Sequence, residues 1–494
     1  MYCLKVLACV VLAFGSQFTC FSQNKPIKLL PENPHYFEYK GKPLALITSA
    51  EHYGAVLNAD FDYEKYLRTL HEEGMNYTRI FMGSYFEIPS KSFSIKQNTL
   101  APNINKVLTP WLSKTENGTL KYDWSTTNLA YYERLAKFMK LAEELDIIIE
   151  VTLFSSIYND DHWVMNPQNP KNRVGGKNTL DRKLVHTLEN GALLELQKDY
   201  VSKLVKELNE FDNFFFEIQN EPWSDRPTAA VNIANTYALD GPNWQVKVDL
   251  ADDKSLEWQD EIAKTIVNTE ATLPQKHLIA QNYSNFKAPI PTVSEHISIL
   301  NFHYNWPESA TWNYHYNKVI GFDESGFAGS EDMVYRRQAW AFMLSGGGLF
   351  NNLDYSFFVG KEDGTGDNEA PGGGSTTLRK ELKILSDFIH SLNLNQVRPS
   401  NESVIGSPGM LSFTLKDGSG GYAIYLVEAG KSESTITIEA SNGTIYTFET
   451  MNTRTGEINN LPASSLVTNG KITIPITLQN GELVLRVHLA MARK

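Results

Sequence analysis

Two glutamates in this sequence directly follow apolar runs that read as buried strands. Glu221 lies within residues 220–222, after the run 213–218, and Glu324 lies within residues 323–326, after the run 319–322. If both runs are parallel strands, the two carboxyl groups stand at the same edge of the sheet. Such a pair can cleave a glycosidic bond, because one carboxyl group protonates the leaving oxygen while the other attacks or activates water. The two environments must then separate their pKa values.

Each glutamate segment also has an ordinary structural interpretation. Glu221 followed by Pro222 can simply open a helix, since proline is favoured at the first helical position and acids near the N-terminus. Residues 324–326 can be a turn. The catalytic interpretation is favoured because both segments occur together, at the ends of the fourth and seventh apolar runs, 103 positions apart. That distance corresponds to three strand–helix units.

The pattern around these segments predicts a (β/α)8 TIM barrel. Eight short apolar runs, mostly separated by stretches of helical periodicity, indicate a parallel sheet with helices between its strands. In a barrel of this kind the chemistry lies at the carboxyl ends of the strands. A doubly wound sheet is the alternative, but no glycine fingerprint follows the first run. The predicted strands are residues 44–48, 77–81, 147–154, 213–218, 278–280, 297–302, 319–322 and 348–353.

The pattern changes near residue 396, where short alternating strands and turn pairs such as Asp417-Gly418 replace helical periodicity. We therefore predict a barrel domain over 23–395 and an antiparallel β-sandwich domain over 396–494. The sandwich could bind carbohydrate or brace the barrel, and bracing is favoured. The glycine-rich stretch 364–377 lacks the lysine of a phosphate-binding loop and is interpreted as a mobile loop.

Composition narrows the class of partner. The 494 residues include 57 aromatic side chains, counted as 25 Phe, 9 Trp and 23 Tyr, and carry a formal net charge of −12. The aromatic content suffices for a core and for exposed stacking faces. Because the negative charge repels a phosphate backbone, nucleic acid is not an expected partner.

The N-terminus predicts export. Lys5 precedes an apolar stretch over 6–14, and small residues follow up to Ser22, as in a secretory signal sequence over 1–22 that is too short to span a membrane. The three cysteines, Cys3, Cys9 and Cys20, all fall within it. Cys20 could instead anchor a lipid, although residues 17–19 resemble a lipobox poorly. We therefore expect a secreted or periplasmic protein, with an outer-surface lipoprotein as the alternative.

The two glutamate segments resemble those of the clan-A retaining β-glycoside hydrolases, the cellulase-like barrels. The resemblance covers roughly residues 35–395 by layout, and its specific motifs do not select a family within the clan. It implies that Glu221 is the acid/base and Glu324 the nucleophile. It also implies that Asn220 binds the sugar 2-hydroxyl and that Arg79 keeps the nucleophile ionised. From the residues alone, an inward-facing Arg79 requires a carboxylate partner, so a structural salt bridge is the alternative.

The sequence departs from familiar members of this clan in two places. His303 and Tyr304 end the sixth strand, but many cellulases carry the tyrosine two residues after the histidine, where this chain has Asn305. Many relatives have a tryptophan after strand eight, and here Tyr355 is the substitute considered. Because the spacing of the tyrosine differs, two roles stay open for Tyr304: a hydrogen-bond donor to the nucleophile and a packing residue.

Three further aromatic residues are candidate sugar contacts, because sugar rings stack on aromatic faces while hydroxyls bind polar groups. His52 follows strand one, Trp223 follows strand four, and Trp306 follows strand six. Core packing is the alternative for both tryptophans. Asp161 and His162 could suggest a metal, but no second ligand stands at the usual spacing, so neither metal nor cofactor is expected.

These observations favour a secreted retaining β-glycosidase that acts as a monomer without a cofactor. Long loops after strands two, three and eight favour endo action on a polysaccharide, with a β-glucan, β-1,3-linked among others, as the candidate. Exo action and mannan, galactan or xylan substrates stay open. A non-catalytic glycan-binding protein and a metal-dependent barrel hydrolase are the rival hypotheses.

Overall fold

The computed structural model describes residues 25–116, 118–232, 247–428 and 433–492. The predicted signal sequence, with its three cysteines, lies outside these ranges. Among the helices within them, we find none with the length and apolar character needed to cross a membrane.

A small antiparallel sheet precedes the barrel and closes its lower end. Phe37 of this sheet packs against Phe215, with ring centroids 6.1 Å apart, in an apolar cluster that also contains the first residues of the barrel strands. The N-terminal segment therefore buries the end of the barrel that is remote from the strand carboxyl ends. The strands of this sheet are β1 (Lys28–Leu29), β2 (Phe37–Tyr39) and β3 (Lys42–Leu44).

Eight parallel strands form the barrel and confirm the predicted TIM-barrel class. They are β4 (Leu46–Ala50), β5 (Tyr77–Phe81), β8 (Ile148–Ser155), β9 (Phe214–Asn220), β12 (Ile279–Asn285), β13 (Ile299–His303), β14 (Val319–Ser325) and β15 (Leu349–Leu353). Their order is β4-β15-β14-β13-β12-β9-β8-β5, and each paired neighbour is parallel. The fifth strand extends beyond the predicted Ala280, since a polar run continues it to Asn285.

The two end strands of this path, β4 and β5, are joined through one side chain. The amide of Asn76 donates to the Ala45 carbonyl at 2.9 Å and accepts from the Ile47 N–H at 2.9 Å. Asn76 directly precedes β5, whereas both of its partners belong to the start of β4. One asparagine thus bridges the seam of the nearly closed barrel.

Helices pack around the barrel, and amphipathic patterning explains the positions of the longer ones, since each of these buries one apolar face. They are α1 (Tyr63–Glu72), α2 (Leu129–Glu144), α3 (Asp160–Met165), α4 (Leu193–Leu208), α5 (Pro222–Asp225), α6 (Asp253–Glu270), α7 (Glu308–Asn313), α8 (Asp332–Met343) and α9 (Thr376–His390). Two hairpins lie in the connections, β6 (Trp111–Glu116) with β7 (Thr119–Thr127), and β10 (Pro227–Asn232) with β11 (Lys247–Ala251).

The C-terminal region contains two antiparallel sheets, and the expected boundary at 395/396 falls between α9 and the first of their strands. One sheet has the order β16-β18-β19-β24-β21-β22 and the other β17-β20-β23. Apolar residues of both sheets share one cluster, an arrangement compatible with the predicted sandwich. The strands are β16 (Arg398–Pro399), β17 (Val404–Gly406), β18 (Leu411–Lys416), β19 (Tyr422–Val427), β20 (Glu433–Glu439), β21 (Thr444–Met451), β22 (Ile458–Leu461), β23 (Lys471–Thr477) and β24 (Glu482–Ala492).

Candidate active site

A cavity of about 350 Å³ opens at the carboxyl ends of the barrel strands. Glu221 and Glu324 both line it, as the sequence predicts from their positions after the fourth and seventh strands. Eight of the other 17 lining side chains are Phe, Tyr or Trp. The remaining lining residues are His52, Tyr53, Phe81, Tyr85, Glu87, Phe93, Leu100, Tyr158, Asn220, Trp223, Ser224, Pro227, Asp249, Asn285, Tyr304, Phe327 and Leu353.

Glu221 is held at the junction between β9 and α5. Its Oε2 accepts a hydrogen bond from the Tyr158 hydroxyl at 2.8 Å, and its Oε1 lies 3.0 Å from Nδ1 of His303. Its backbone N–H donates to Oδ1 of Asn282 at 3.1 Å. Both interpretations of the Glu221-Pro222 pair therefore apply, because Pro222 opens a short helix while the Glu221 carboxyl group faces the cavity.

Glu324 is the penultimate residue of β14, and hydrogen-bond donors surround its carboxylate. The Tyr53 hydroxyl donates to its Oε2 at 2.7 Å, and the Tyr304 hydroxyl donates to its Oε1 at 2.6 Å. Nη1 of Arg79 donates to Oε2 at a longer distance, 3.4 Å. Three donors converge on one carboxylate, which favours its ionised form. Both predicted partners, Arg79 and Tyr304, thus contact Glu324.

The two glutamates approach each other closely, with His303 between them. One carboxylate oxygen of each glutamate and one ring nitrogen of His303 all lie within 4.8 Å of one another. The same histidine extends below the pair, since its Nε2 lies 3.3 Å from Oδ2 of Asp323. Burial opposes a charge on this imidazole, but the charges of Glu324 and Asp323 outweigh it and raise the pKa of His303 well above its usual value.

A second group of acids lies beneath the catalytic pair, in the barrel interior. Glu150, Glu217 and Asp323 are fully buried there, and Arg79 forms ion pairs with Glu217 and, at 3.6 Å, with Asp323. Burial raises the pKa of Glu217 to about 7, although the Arg79 charge opposes this shift. The burial of Glu150, together with the charges of Glu217 and Asp323, raises its pKa well above the ordinary value. Arg79 therefore serves both as a structural ion-pair partner and as a contact of Glu324.

The pKa shifts of the catalytic pair reflect these contacts. Burial alone would raise the pKa of Glu221, but the hydrogen bond and charge of His303 outweigh it and lower the value. Burial also raises the pKa of Glu324, and the neighbouring Glu221 charge adds to that rise, against His303 and Arg79. In the ligand-free site, therefore, Glu324 binds its proton more tightly than Glu221 does.

Five non-glycine residues that line the cavity adopt left-handed backbone conformations, and three of them carry functional groups near the reaction centre. Tyr53, Glu221 and Tyr304 have φ values of 60°, 49° and 49°. Such conformations are disfavoured for residues with a Cβ atom by about 1–2 kcal/mol each, and they concentrate at functional sites. Backbone hydrogen bonds hold two of them, since the Tyr304 N–H donates to the Glu324 carbonyl and the Tyr53 N–H donates to the Glu51 carbonyl. The strained turns direct all three side chains into one place.

Three of the remaining predicted contacts, Asn220, Trp223 and His52, line the cavity. Asn220 lines the cavity, accepts from Arg79 at 2.8 Å and donates to the Tyr158 hydroxyl at 2.8 Å. Trp223 and His52 also line the cavity, and Trp223 packs edge-on against His303.

Two predicted contacts lie outside the lining that the described residues form. Tyr355 is buried behind His52, with ring centroids 5.8 Å apart, so it supports a lining residue rather than replacing the expected tryptophan floor. Trp306 is 38% exposed and lies under Nζ of Lys287, 4.3 Å from its ring centroid. Trp306 therefore packs on the surface, because the turn after β13 points its side chain outward.

Four site residues escaped the sequence prediction. Tyr53 and Tyr158 follow the first and third strands, so the strand-end criterion could have found both. Asn282 was missed because the polar run 281–285 obscured the end of β12. Glu87 lies six residues beyond β5, in an irregular connection that carries no pattern.

Among the residues that the structure describes, two three-residue groups could offer ligand atoms to a cation: Glu221, His303 and Glu324, and the deeper Glu150, Glu217 and Asp323. In the deeper group the Arg79 guanidinium already supplies the positive charge. In the upper group both carboxylates already accept hydrogen bonds from tyrosine hydroxyls. Neither donor set therefore fits a metal without displacing these partners. Asp161 and His162 do not point at a common site, since Asp161 pairs with Lys91 and His162 faces Tyr85.

Comparison with known proteins identifies the fold. No protein-family model matches the chain, and no curated protein matches its sequence. Among solved structures, a Bacteroides vulgatus protein described provisionally as a glycoside hydrolase is similar with a TM-score of 0.64 at 12% identity, over 95% of this chain and 83% of that one. A glycoside hydrolase family 5 protein from the same species gives a TM-score of 0.58 at 11% identity, over 94% and 93%.

A third similar structure is a maltogenic α-amylase from Thermotoga neapolitana, with a TM-score of 0.51 at 11% identity, over 90% of this chain and 99% of that one. Because its described activity differs from that of the other two, fold similarity at this level does not select a reaction. The resemblance to the clan-A barrels is confirmed by the fold: the chain shares the overall architecture of solved glycoside hydrolases, a family 5 member among them.

Proposed function

We propose that this protein is a retaining β-glycoside hydrolase that acts by double displacement. The observation that carries the proposal is the close approach of Glu221 and Glu324 in the lining of one cavity, where one carboxylate oxygen of each lies within 4.8 Å of the other. Retaining enzymes place their carboxyl groups about 5–5.5 Å apart, whereas inverting enzymes separate them by about 6.5–9.5 Å to admit water. The observed approach supports retention.

Each side chain then has a defined part in the reaction. Glu324 attacks the anomeric carbon while Glu221 protonates the leaving oxygen, and a water molecule deprotonated by Glu221 later releases the sugar from Glu324. Arg79, Tyr53 and Tyr304 hold the Glu324 carboxylate in place. Asn220, fixed between Arg79 and Tyr158, is positioned to bind the sugar 2-hydroxyl. No cofactor enters this scheme.

The order of pKa values in the ligand-free site calls for a direct test of these roles. Glu221 must be protonated to act as the acid, yet His303 lowers its pKa. A 2-deoxy-2-fluoro β-glycoside with a good leaving group should accumulate a covalent adduct, and peptide mass spectrometry should locate it on Glu324. An adduct on Glu221 would reverse the assignment, and the absence of any adduct or product on every sugar class would favour the glycan-binding alternative.

The proposal also covers the localisation of the enzyme and its domain organisation. The predicted signal sequence supports export, and the two C-terminal sheets with their shared apolar cluster support a β-sandwich accessory domain that braces the barrel. A β-linked glycan is the proposed substrate of a monomeric enzyme. N-terminal sequencing of the exported protein should begin at residue 23, whereas a lipidated Cys20 would indicate the lipoprotein.

A further inference from the structure

Two long connections at the carboxyl ends of the barrel strands contact each other. The first follows β5 and spans residues 82–110, and the second follows β15 and spans residues 354–375. The Lys96 N–H donates to the Glu369 carbonyl at 3.2 Å, and the Lys96 ammonium pairs with the Glu369 carboxylate at 2.5 Å. Asn368 exchanges hydrogen bonds with the backbone of Gln97. These contacts join the two connections in a bridge.

The inner surface of this bridge packs directly on the barrel. Gly54, just after β4, lies so close to the backbone of Thr99 that a Cβ atom there would come within 2.1 Å of the Thr99 carbonyl group. The Asn58 side chain donates to the Thr99 carbonyl at 3.0 Å, and Leu100 is buried against the cavity. Residues 99 and 100 are therefore packed against the barrel. We call the side of the cavity that the buried residues Leu100, Glu87 and His52 line the blind side.

A buried polar pair lines the blind side. Oε1 of Glu87 lies 3.8 Å from Nε2 of His52, and Oε2 of Glu87 accepts from the Asn98 amide at 2.6 Å. Nδ1 of His52 is buried without a hydrogen-bond partner among the described residues. Burial raises the pKa of Glu87 to about 8 and lowers the pKa of His52 to about 3. Two poorly solvated polar groups at the end of an aromatic cavity are suited to bind sugar hydroxyls.

The position of this pair relative to the glutamates identifies the sugar it would meet. The acid Glu221 stands on β9, so the leaving part of the substrate lies towards Trp223, Asp249 and Asn285, after β9, β11 and β12. The pair of Glu87 and His52 lies on the other side, where Tyr53 connects His52 to the nucleophile. In a retaining reaction the sugar attacked by the nucleophile belongs to the non-reducing part of the chain. The blind side therefore receives the non-reducing end.

We infer that the enzyme is exo-acting, and that Glu87 and His52 bind free hydroxyls of the non-reducing terminal sugar. This inference rests on the proposed function and replaces the endo action that loop length alone favoured. The long connection after β5 closes the cleft instead of extending it. We expect a further sugar at this end to clash with the buried residues Thr99 and Leu100, so that only a chain end fits the site. A site built for a hydroxyl rejects substrates that lack it.

The test begins with a panel of 4-nitrophenyl β-glucoside, mannoside, galactoside and xyloside, which identifies the sugar class. For that class, a β-linked tetrasaccharide labelled at its reducing end is then compared with the same compound whose non-reducing terminal sugar is O-methylated. We expect the free tetrasaccharide to lose one sugar at a time. We expect O-methylation to lower the rate by about 100-fold or more. First formation of a labelled disaccharide, with equal rates for both compounds, would overturn the inference.

Variants separate the terminal-sugar contact from general damage. Glu87→Gln, in which the amide can still face Asn98 and His52, should lower kcat/KM on the free tetrasaccharide about 10- to 100-fold. Lys114→Ala, on the exposed β6–β7 hairpin, is the control and should be unchanged. An unchanged kcat/KM for Glu87→Gln would contradict the role of Glu87.

Failure of the proposed function gives a different result, namely no cleavage of the panel or of either tetrasaccharide by folded protein. Calorimetric titration of the Glu324→Ala protein with both tetrasaccharides then decides the inference independently. Binding of the free compound alone supports recognition of a chain end. Equal binding of both compounds overturns it.

Discussion

At the scale of single residues, the site depends on His303 as much as on the two glutamates. This imidazole contacts Glu221 on one ring nitrogen and Asp323 on the other, and Asp323 also faces Arg79. A proton on His303 therefore balances part of the negative charge of the three carboxylates next to its ring, those of Glu221, Asp323 and Glu324. Removing one member of such a buried network leaves the others uncompensated.

Substituting the two glutamates separately should distinguish their roles. Glu324→Ala should lower kcat by at least about 10⁴-fold, because no covalent intermediate can form. With an activated substrate, added azide should restore turnover in both Ala variants. Glu324→Ala should then yield the α-glycosyl azide and Glu221→Ala the β-glycosyl azide, as product analysis by NMR would show.

The opposite pair of azide products would exchange the two assignments. Glu324→Gln serves as the matched control, since it preserves the shape of the side chain and leaves no space for azide.

Glu87 should make stability depend on pH. Its pKa in the folded protein is about 8 against an ordinary value of 4.5, so folding favours the protonated carboxyl group. The associated stability is fully present below pH 4.5 and is lost as the pH rises through about 8, by at most about 5 kcal/mol. Melting temperatures at pH 5 and pH 9 should differ more in the wild type than in Glu87→Gln. Glu433→Gln, on an exposed strand, is the control, and parallel pH profiles for all three proteins would contradict the expectation.

At the scale of the elements, the ends of the parallel strands explain how distant residues meet. Glu221, His303 and Glu324 end β9, β13 and β14, and the tight turns after these strands direct them inward. Tyr53 and Tyr158 likewise lie just after the carboxyl ends of β4 and β8. The regularity of the strands thus determines the site, whereas the irregular connection after β5 determines its closed side.

The Asn76 bridge makes the barrel seam sensitive to one substitution. Asn76→Ala removes two hydrogen bonds and leaves the Ala45 carbonyl and the Ile47 N–H without this partner. We expect a loss of about 2–4 kcal/mol in the free energy of unfolding, measured by urea denaturation. Asn459→Ala, on an exposed strand, should change it by less than about 0.5 kcal/mol. Equal effects of the two substitutions would show that the seam is held in another way.

At the scale of the whole molecule, the C-terminal sheets are tied to the barrel by a buried ion-pair network. Arg336 of α8 pairs with Glu381 of α9 at 2.7 Å and with Glu482 of β24, and the Tyr425 hydroxyl donates to the same Glu482 at 2.6 Å. Trp340 and Phe388 pack next to it, with Tyr425 against Trp340. The outer face of the six-stranded sheet therefore belongs to the same apolar core as the barrel helices.

Truncation should therefore destabilise the barrel. A chain that ends at residue 395 exposes Trp340 and Phe388 and leaves Arg336 without Glu482. We expect it to aggregate or to melt well below the full-length protein in differential scanning calorimetry.

Glu482→Ala in the full chain should lower the free energy of unfolding by roughly 3 kcal/mol, because Arg336 then remains buried with one partner fewer. A truncated protein that is soluble, folded and fully active would contradict the bracing role.

Local patterns in the sequence determined the barrel, the ends of its strands and the two glutamates. Buried strands are short apolar runs, and the residue that ends each run is recognisable without knowledge of its neighbours. The polar barrel interior broke this pattern at residues 281–285, which hid Asn282. Only the tertiary structure placed Glu87 beside His52 and Trp306 on the surface, since such placements depend on how irregular connections pack. The bridge between the connections after β5 and β15 arises in the same way, from contacts between segments about 270 residues apart in the chain, and no local pattern encodes such a distance.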